Sequence, residues 1–368
     1  MKSLLFFLVI IINVFEFNKS EELIFAQLYI RHGARGPCSL YDKGEDKLKV
    51  KWDGKGEITG VGERMEYLLG LRNRERYITG KYKFLSEKFD PHELVIYSSD
   101  KNRTILSMES HLQGLYPMSP KIGDKLSPEQ IKVALPQVDV SYSEEIQQEI
   151  ENLNDSALPH YMTIIPIHII TSSEKKILNF ELSECSSTFK KMKQKNVQEK
   201  ETIINLSQNF NLKYAKKMNK FYNYSEDYKY EFDTLTDICD MAIVDIIHDR
   251  NMSHFFDLIQ INKGEFIKDC YEILAIGFRD ELYGDDKNEM ILLEASTVLR
   301  DMVSNIKRRV DADINNEKIE ENASDYSKPK MVMILGHDDT ITPQVLFIIK
   351  NFNLSLDVYK LPQFAKNI

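Results

Sequence analysis

The sequence predicts an α/β protein, a sheet with flanking helices, that carries a mainly helical insertion. Three observations predict it. Over residues 23 to 118, short apolar runs suited to buried strands alternate with longer stretches of helical period. Between about 140 and 310 the strand signals thin out and long amphipathic runs replace them. Strand character then returns in Lys330-Met331-Val332-Met333-Ile334-Leu335. A chain of 368 residues also exceeds what one hydrophobic core usually organises. The expected division is a leader over residues 1–20, an α/β domain from 21–138 and 290–368, and a helical cap insertion over 139–289.

The elements follow in chain order. Met1-Lys2 and the apolar core from Leu4 to Ile12, with Ser20 as a cleavage point, read as a secretory signal peptide. An uncleaved anchor is the alternative, because Glu16, Asn18 and Lys19 make the cleavage region untidy. No later segment is long and apolar enough to cross a bilayer, so no stable membrane span is expected after cleavage. Removing the leader shifts the formal net charge from −9 to about −10. Such an acidic chain does not fit a nucleic-acid partner, and its cationic chemistry must be local. Cys38, Cys185, Cys239 and Cys270 would meet an oxidising compartment; used together they allow three pairings, and their spacing is too wide for a metal site. Sequons at Asn102, Asn154, Asn205, Asn223, Asn251, Asn322 and Asn353 agree with that route.

The first strand, Leu23 to Ile30, delivers Arg31-His32-Gly33-Ala34-Arg35-Gly36-Pro37 at its end. Two permanent guanidinium charges can hold phosphoryl oxygens bidentately while a neutral imidazole between them attacks phosphorus. The plainer reading is a surface Arg-His pair beside a turn. A helix is expected over about 59–77, a strand at Glu93-Leu94-Val95-Ile96-Tyr97, and a helix from near Asp100. Arg103 then falls in the first helical turn, able to point back over the strand edge as a third guanidinium; alternatively Ser99 or Asp100 caps the helix and Arg103 is a solvated charge. In the run 161–170, Pro166 argues for an irregular or edge segment. Residues 236–256, 266–282 and 290–310 read as helices. The last strand ends in Gly336-His337-Asp338-Asp339-Thr340, a His-Asp pair at the edge where open α/β sheets bind ligands. Taken alone that pair could simply cap the following helix. Alongside the first motif, it brings two remote segments to one crevice.

These motifs resemble those of the histidine acid phosphatases, the branch of the phosphoglycerate-mutase-like fold that includes prostatic and lysosomal acid phosphatases and histidine phytases. The resemblance rests on residues 31–37, on Trp52-Asp53-Gly54-Lys55-Gly56-Glu57-Ile58-Thr59 with Gly62, on Asp100 with Arg103, and on residues 336–340. It runs from about Leu23 to the chain end and is loose in the helical middle, where only 235–248 is similar. It implies that His32 is the nucleophile forming a phosphohistidine, that Arg31, Arg35 and Arg103 bind phosphate, and that His337 donates to a phosphoryl oxygen. Asp338 would be the general acid. The chemistry asks for the same roles, because phosphomonoester hydrolysis spreads charge over three oxygens and expels a poor alkoxide. The guanidinium groups should keep His32 unprotonated below its ordinary pKa of about 6.5, and a bound anion should raise that of Asp338, so an acidic optimum is expected. No role calls for a metal or cofactor, and chelator-resistant activity is expected.

The resemblance further implies an extracellular or lysosomal phosphatase, often a homodimer, although no stretch identifies an interface. The family's domain usually continues well past its His-Asp motif, whereas this chain stops at Ile368, and an incomplete gene product is the expectation. Cys38 reads as a structural thiol, and Asn102, inside a site motif, is expected to be unmodified. His92, His111, His160, His168, His248 and His254 read as surface or packing residues, and Asp339 has no assigned role. The insertion is expected to cover the crevice and set substrate size. Lys190, Lys191, Lys193 and Lys195 could serve an inositol-phosphate pocket or form an ordinary solvated face. Three alternatives stay open: an inositol-phosphate phosphatase, an anion-binding relative without turnover, and a phosphoryl-transfer mutase, whose motif has Glu where this chain has Ala34-Arg35.

Overall fold

The structure, a computed structural model, describes residues 22–38, 52, 54–80, 82–136, 141–170, 197–249, 256, 260–283, 289–314, 329–338 and 341. The expected leader, Cys185, His254, Asp339 and the lysines from 190 to 195 lie outside the described residues.

Among the described residues, four parallel strands form one sheet: β1 (Ala26–Arg31), β2 (Leu94–Ser99), β3 (His168–Ile170) and β4 (Met331–Gly336), in the order β1-β4-β2-β3. β4 lies inside the sheet and is buried along its whole length. Its side chains divide with period two: Met331, Met333 and Leu335 join Leu28, Ile30, Leu94 and Ile96 in one core, while Val332 and Ile334 join Tyr29 in another. A strand covered on both faces has no polar face to show, which is why 330–335 reads as a continuous apolar run.

The first core is closed by helices α1 (Gly60–Arg74) and α2 (Asn102–Leu115), through Leu69 and through Met108, Leu112 and Leu115. The two helices touch backbone to backbone: a Cβ on Gly70 would stand 1.9 Å from the His111 carbonyl oxygen. α1 starts at Thr59, whose side chain accepts from the Gly62 N–H, and it continues into a π-helical turn, Glu75–Thr79. Short helices α3 (Pro128–Val133) and α4 (Glu144–Leu153) follow. The stretch before β3 is irregular and, among the described residues, β3 lies at the edge of the sheet beside β2, in keeping with Pro166. Ile165 packs into the sheet core, so this segment, inside the span expected as insertion, joins the sheet.

The helical segment comprises α5 (Val197–Phe210), α6 (Lys216–Tyr222), α7 (Phe232–Ile247) and α8 (Lys263–Tyr283), with a core of its own around Met218, Leu235, Phe266 and Ile273. Helix α9 (Glu289–Ile314) then returns to the sheet, where Val298 and Met302 cover its second face. Of the pairings the sequence left open, the structure contains Cys239–Cys270, joining α7 to α8 with Cα atoms 4.9 Å apart; Cys38 is free and exposed. No described helix is long and apolar enough to cross a membrane.

The disulfide closes a loop spanning 31 positions in sequence. Cutting it should release unfolded-chain entropy and cost about 3 kcal/mol. Urea unfolding of the Cys239→Ser/Cys270→Ser variant is expected to show that loss, and an unchanged midpoint would contradict it.

Candidate active site

The first motif is shaped where β1 runs out. The His32 N–H still donates to the Gly336 carbonyl of β4 at 3.3 Å; beyond it the chain leaves the sheet and runs antiparallel to residues 56–59. Thr59 N–H donates to Ala34 (3.1 Å), Gly36 N–H to Glu57 (2.8 Å) and Gly56 N–H to Pro37 (2.8 Å). Gly33 and Gly62 meet so closely that a Cβ on Gly62 would lie 2.1 Å from the Ala34 oxygen, and one on Gly33 2.5 Å from the Gly62 oxygen. No side chain fits between them. From the other side Gly33 N–H donates to the Ser107 hydroxyl (3.0 Å), which donates to the Arg103 carbonyl (2.6 Å). The loop is therefore gripped by the starts of both α1 and α2.

The register of the sheet places the two histidines side by side. Arg31 pairs with Gly336, and the rings of His32 and His337 stand 5.5 Å apart and edge to face. His32 is 2% exposed. Its Nδ1 lies 2.8 Å from the Gly33 carbonyl oxygen, which can only accept. Nδ1 of the neutral ring therefore carries the proton, and Nε2 keeps its lone pair. Burial, helped by the Arg31 charge, lowers the His32 pKa to about 3. His337 is held down to about 4, by burial first and then by Arg103. Its Nδ1 accepts from Arg103 Nη2 (3.3 Å), so its Nε2 faces Ser99 Oγ (2.9 Å) as donor. Both imidazoles are thus uncharged well into the acid range.

All six residues singled out in the sequence, Arg31, His32, Arg35, Arg103, His337 and Asp338, stand around this edge, each touching or electrostatically coupled to another of the set. Asp338 pairs with Arg31 Nε. Burial pushes its carboxyl up, but Arg31, with smaller help from His32 and Arg35, outweighs that and holds it below the ordinary carboxylate range. Ser99 does not cap α2: the capping position is Lys101 without a side-chain bond, and the Ser99 hydroxyl instead reaches His337 and, at 2.8 Å, the Thr104 hydroxyl.

Two further residues stand behind the motif: Asp240 of α7, which the sequence did not single out, and His248 just past the helix end, a packing residue as expected. Asp240 pairs with both terminal nitrogens of Arg35, at 3.2 and 3.3 Å. His248, expected at the surface or in packing, donates from Nδ1 to the Val244 carbonyl (2.7 Å), leaving its Nε2, 2.7 Å from Thr59 Oγ1, to accept from that hydroxyl; its ring meets Trp52 edge-on at 5.0 Å. His111 is a packing residue of an unusual kind, fully buried with Glu66 and Asn73 between α1 and α2. Among the described residues, no group of three or more His, Cys, Asp or Glu side chains is placed to hold a metal ion.

A parallel α/β sheet here gathers a buried, lone-pair-bearing imidazole and three guanidinium groups at its carboxyl edge, a grouping whose charge suits an anion. The chain belongs to the histidine phosphatase superfamily, branch 2, whose family model matches residues 22–365. It is 32% identical to the lysosomal acid phosphatase of Xenopus laevis over 182 residues, which is 50% of this chain and 34% of that protein. Against the prostatic acid phosphatase of Homo sapiens it is 34% identical over 98 residues, 27% of this chain and 24% of that protein. The matched regions thus span about a third or less of these relatives' lengths. Among solved structures, the phytase from Citrobacter braakii superposes with a TM-score of 0.53 at 12% identity, covering 90% of this chain and 76% of that one. The Bifidobacterium longum multiple inositol polyphosphate phosphatase, in complex with inositol hexasulfate, gives 0.54 at 14%, covering 90% and 75%. At such identities the likeness is one of fold.

The shifted histidines make stability depend on pH. When unfolded they titrate near 6.5, and when folded near 3 and 4, so between those values the unfolded chain binds more protons. Stability should therefore fall as pH drops from about 6.5 toward 4. In His32→Asn that fall should be less steep, read from thermal unfolding midpoints at each pH; equal slopes would show that His32 is not held neutral.

Proposed function

We propose that the protein hydrolyses phosphomonoesters under acidic conditions through a phosphohistidine intermediate on His32, and that it works in the secretory pathway, outside the cell or in lysosomes. The observation that carries this reading is the His32 Nδ1 bond to the Gly33 carbonyl, which leaves Nε2 as a nucleophile inside a cationic nest. The acid phosphatases among its relatives, two of them described above, support the same class of reaction and the location.

In this reading Arg31, Arg35 and Arg103 hold the phosphoryl oxygens. Nε2 of His32 attacks phosphorus, a P–N bond forms, and the ester P–O bond breaks. Asp338 gives its proton to the departing oxygen, so the alcohol leaves neutral. Water then attacks the phosphohistidine, the Asp338 carboxylate takes its proton, and the P–N bond breaks to release phosphate and restore the imidazole. Without substrate Asp338 is a carboxylate held down by Arg31. A phosphoryl group that takes over Arg31 removes that support and adds negative charge, which moves Asp338 toward the protonated form an acid catalyst needs. His337 can follow: the Ser99 hydroxyl both donates and accepts, so the imidazole can shift its proton from Nε2 to Nδ1 and donate to a phosphoryl oxygen. In the same reading the helical segment with α7 is the cap, a role supported by the contacts of Asp240 with Arg35 and of His248 with Thr59.

The test is phosphate release from a small aryl phosphomonoester and from an alkyl one between pH 4 and 8. A maximum on the acid side is expected, together with a loss of roughly a thousandfold or more in His32→Ala. Asp338→Asn should slow the alkyl ester far more than the aryl one, because only the poor leaving group depends on the proton. Rates rising steadily to pH 8, or equal slowing of the two esters, would contradict these roles.

A further inference from the structure

We propose that Asp240 is a positioning residue for Arg35, fixing which edge of the guanidinium is offered to the phosphoryl group; this rests on the phosphate-binding reading of Arg35. A guanidinium has five N–H donors. The Asp240 carboxylate takes one from Nη1 (3.2 Å) and one from Nη2 (3.3 Å), and the Gly36 carbonyl takes the second from Nη1 (2.9 Å). The two that remain are the N–H of Nε and the second of Nη2. They lie side by side on one edge, and that edge is the fork which matches two oxygens of one anion.

Asp240 is well placed for the task because it is itself held. Its Oδ2 also accepts from the Cys38 N–H at 3.1 Å, so the carboxylate ties both the side chain of Arg35 and the backbone three residues on. On its own helix it follows Cys239, whose disulfide binds α7 to α8. Two turns later His248 meets Thr59, the residue whose backbone N–H donates to Ala34. Asp240 on α7 therefore meets the loop directly at Arg35 and Cys38, and His248, just past the helix end, braces it at Ala34 through Thr59. The pair is largely shielded, with the side chains of Arg35 and Asp240 15% and 24% exposed, so the contact is neither a loose surface bridge nor a fully desolvated one. Burial opposes the Arg35 charge, and Asp240, with help from Cys38 and Asp338, outweighs it.

Without the carboxylate, Arg35 keeps its charge but regains rotamer freedom that substrate must then remove. Binding, more than the chemical step, should suffer. In Asp240→Ala we expect KM for an aryl phosphomonoester and Ki for inorganic phosphate each to rise about tenfold, with kcat changed by less than about threefold. Asp240→Asn, which keeps one acceptor oxygen and the side-chain shape, should fall between at about threefold, and it serves alone should the alanine variant not fold. In an Arg35→Lys background, where the fork is already gone, Asp240→Ala should add nothing further. A Ki unchanged or lowered by Asp240→Ala, or effects that simply multiply in the double variant, would overturn the assignment.

Equilibrium binding of inorganic phosphate, measured beside turnover, separates this claim from the one it rests on. A parent that turns over, with Asp240→Ala binding phosphate as tightly as the parent, refutes the positioning role alone. A parent that binds phosphate and releases none from esters refutes the proposed hydrolysis, while weaker binding in Asp240→Ala still supports the positioning role. A parent that binds no phosphate overturns both.

Discussion

The hydrogen bond from His32 Nδ1 to the carbonyl of the next residue is short-range and backbone-directed, yet the chemistry proposed for the sheet edge depends on it. It fixes the tautomer, while burial and the Arg31 charge keep the imidazole neutral into acid, outweighing this bond's own pull toward the protonated ring. The bond exists only because the chain turns at Gly33 as it leaves β1. That turn is held by the backbone contact with Gly62, by the Gly33 N–H on Ser107 and by the antiparallel pairing with residues 56–59. The starts of α1 and α2 thus act as a vice around one peptide group, and the packed sheet beneath them makes the vice rigid.

Charge is handled by pairing the cations within the site. Arg31 has Asp338, Arg35 has Asp240, and Arg103 donates to the neutral His337. Three guanidinium groups within one crevice would otherwise repel one another, and the charges of Arg31 and Arg103 add to burial in lowering the pKa of both histidines. Of the two carboxylates, Asp338 lies next to His32 and His337 and can give way to an anion. Asp240 sits on a helix anchored by a disulfide and stays. In the proposed reaction the same residue type is therefore a partner that yields to substrate in one pair and one that stays in the other.

Much of this was legible in the chain. The strands could be read because β1, β2 and β4 are buried along most of their lengths and so leave continuous apolar runs. The meeting of Arg31, His32, Arg103, His337 and Asp338 could be read because each follows a strand or opens a helix at the same end of a parallel sheet. Asp240 was not legible. It lies 205 residues from Arg35, on a helix that also carries Asp233, Asp237 and Asp245, and nothing local says which carboxylate faces the loop. Ser99 was hidden because a serine before a helix looks like a cap whether or not it is one. The pairing of Cys239 with Cys270 needed the packing of α7 on α8, which helical periodicity alone does not specify.

The most direct test of this account is the state of the His32 ring in solution, read by nitrogen NMR of the histidine-labelled protein with His32→Asn to assign the signal. A neutral ring, protonated at Nδ1 and bare at Nε2, should persist from pH 7 down to about 4. A ring that takes up its second proton near 6.5, or that carries its single proton on Nε2, would contradict it, because no lone pair would then face the cationic nest.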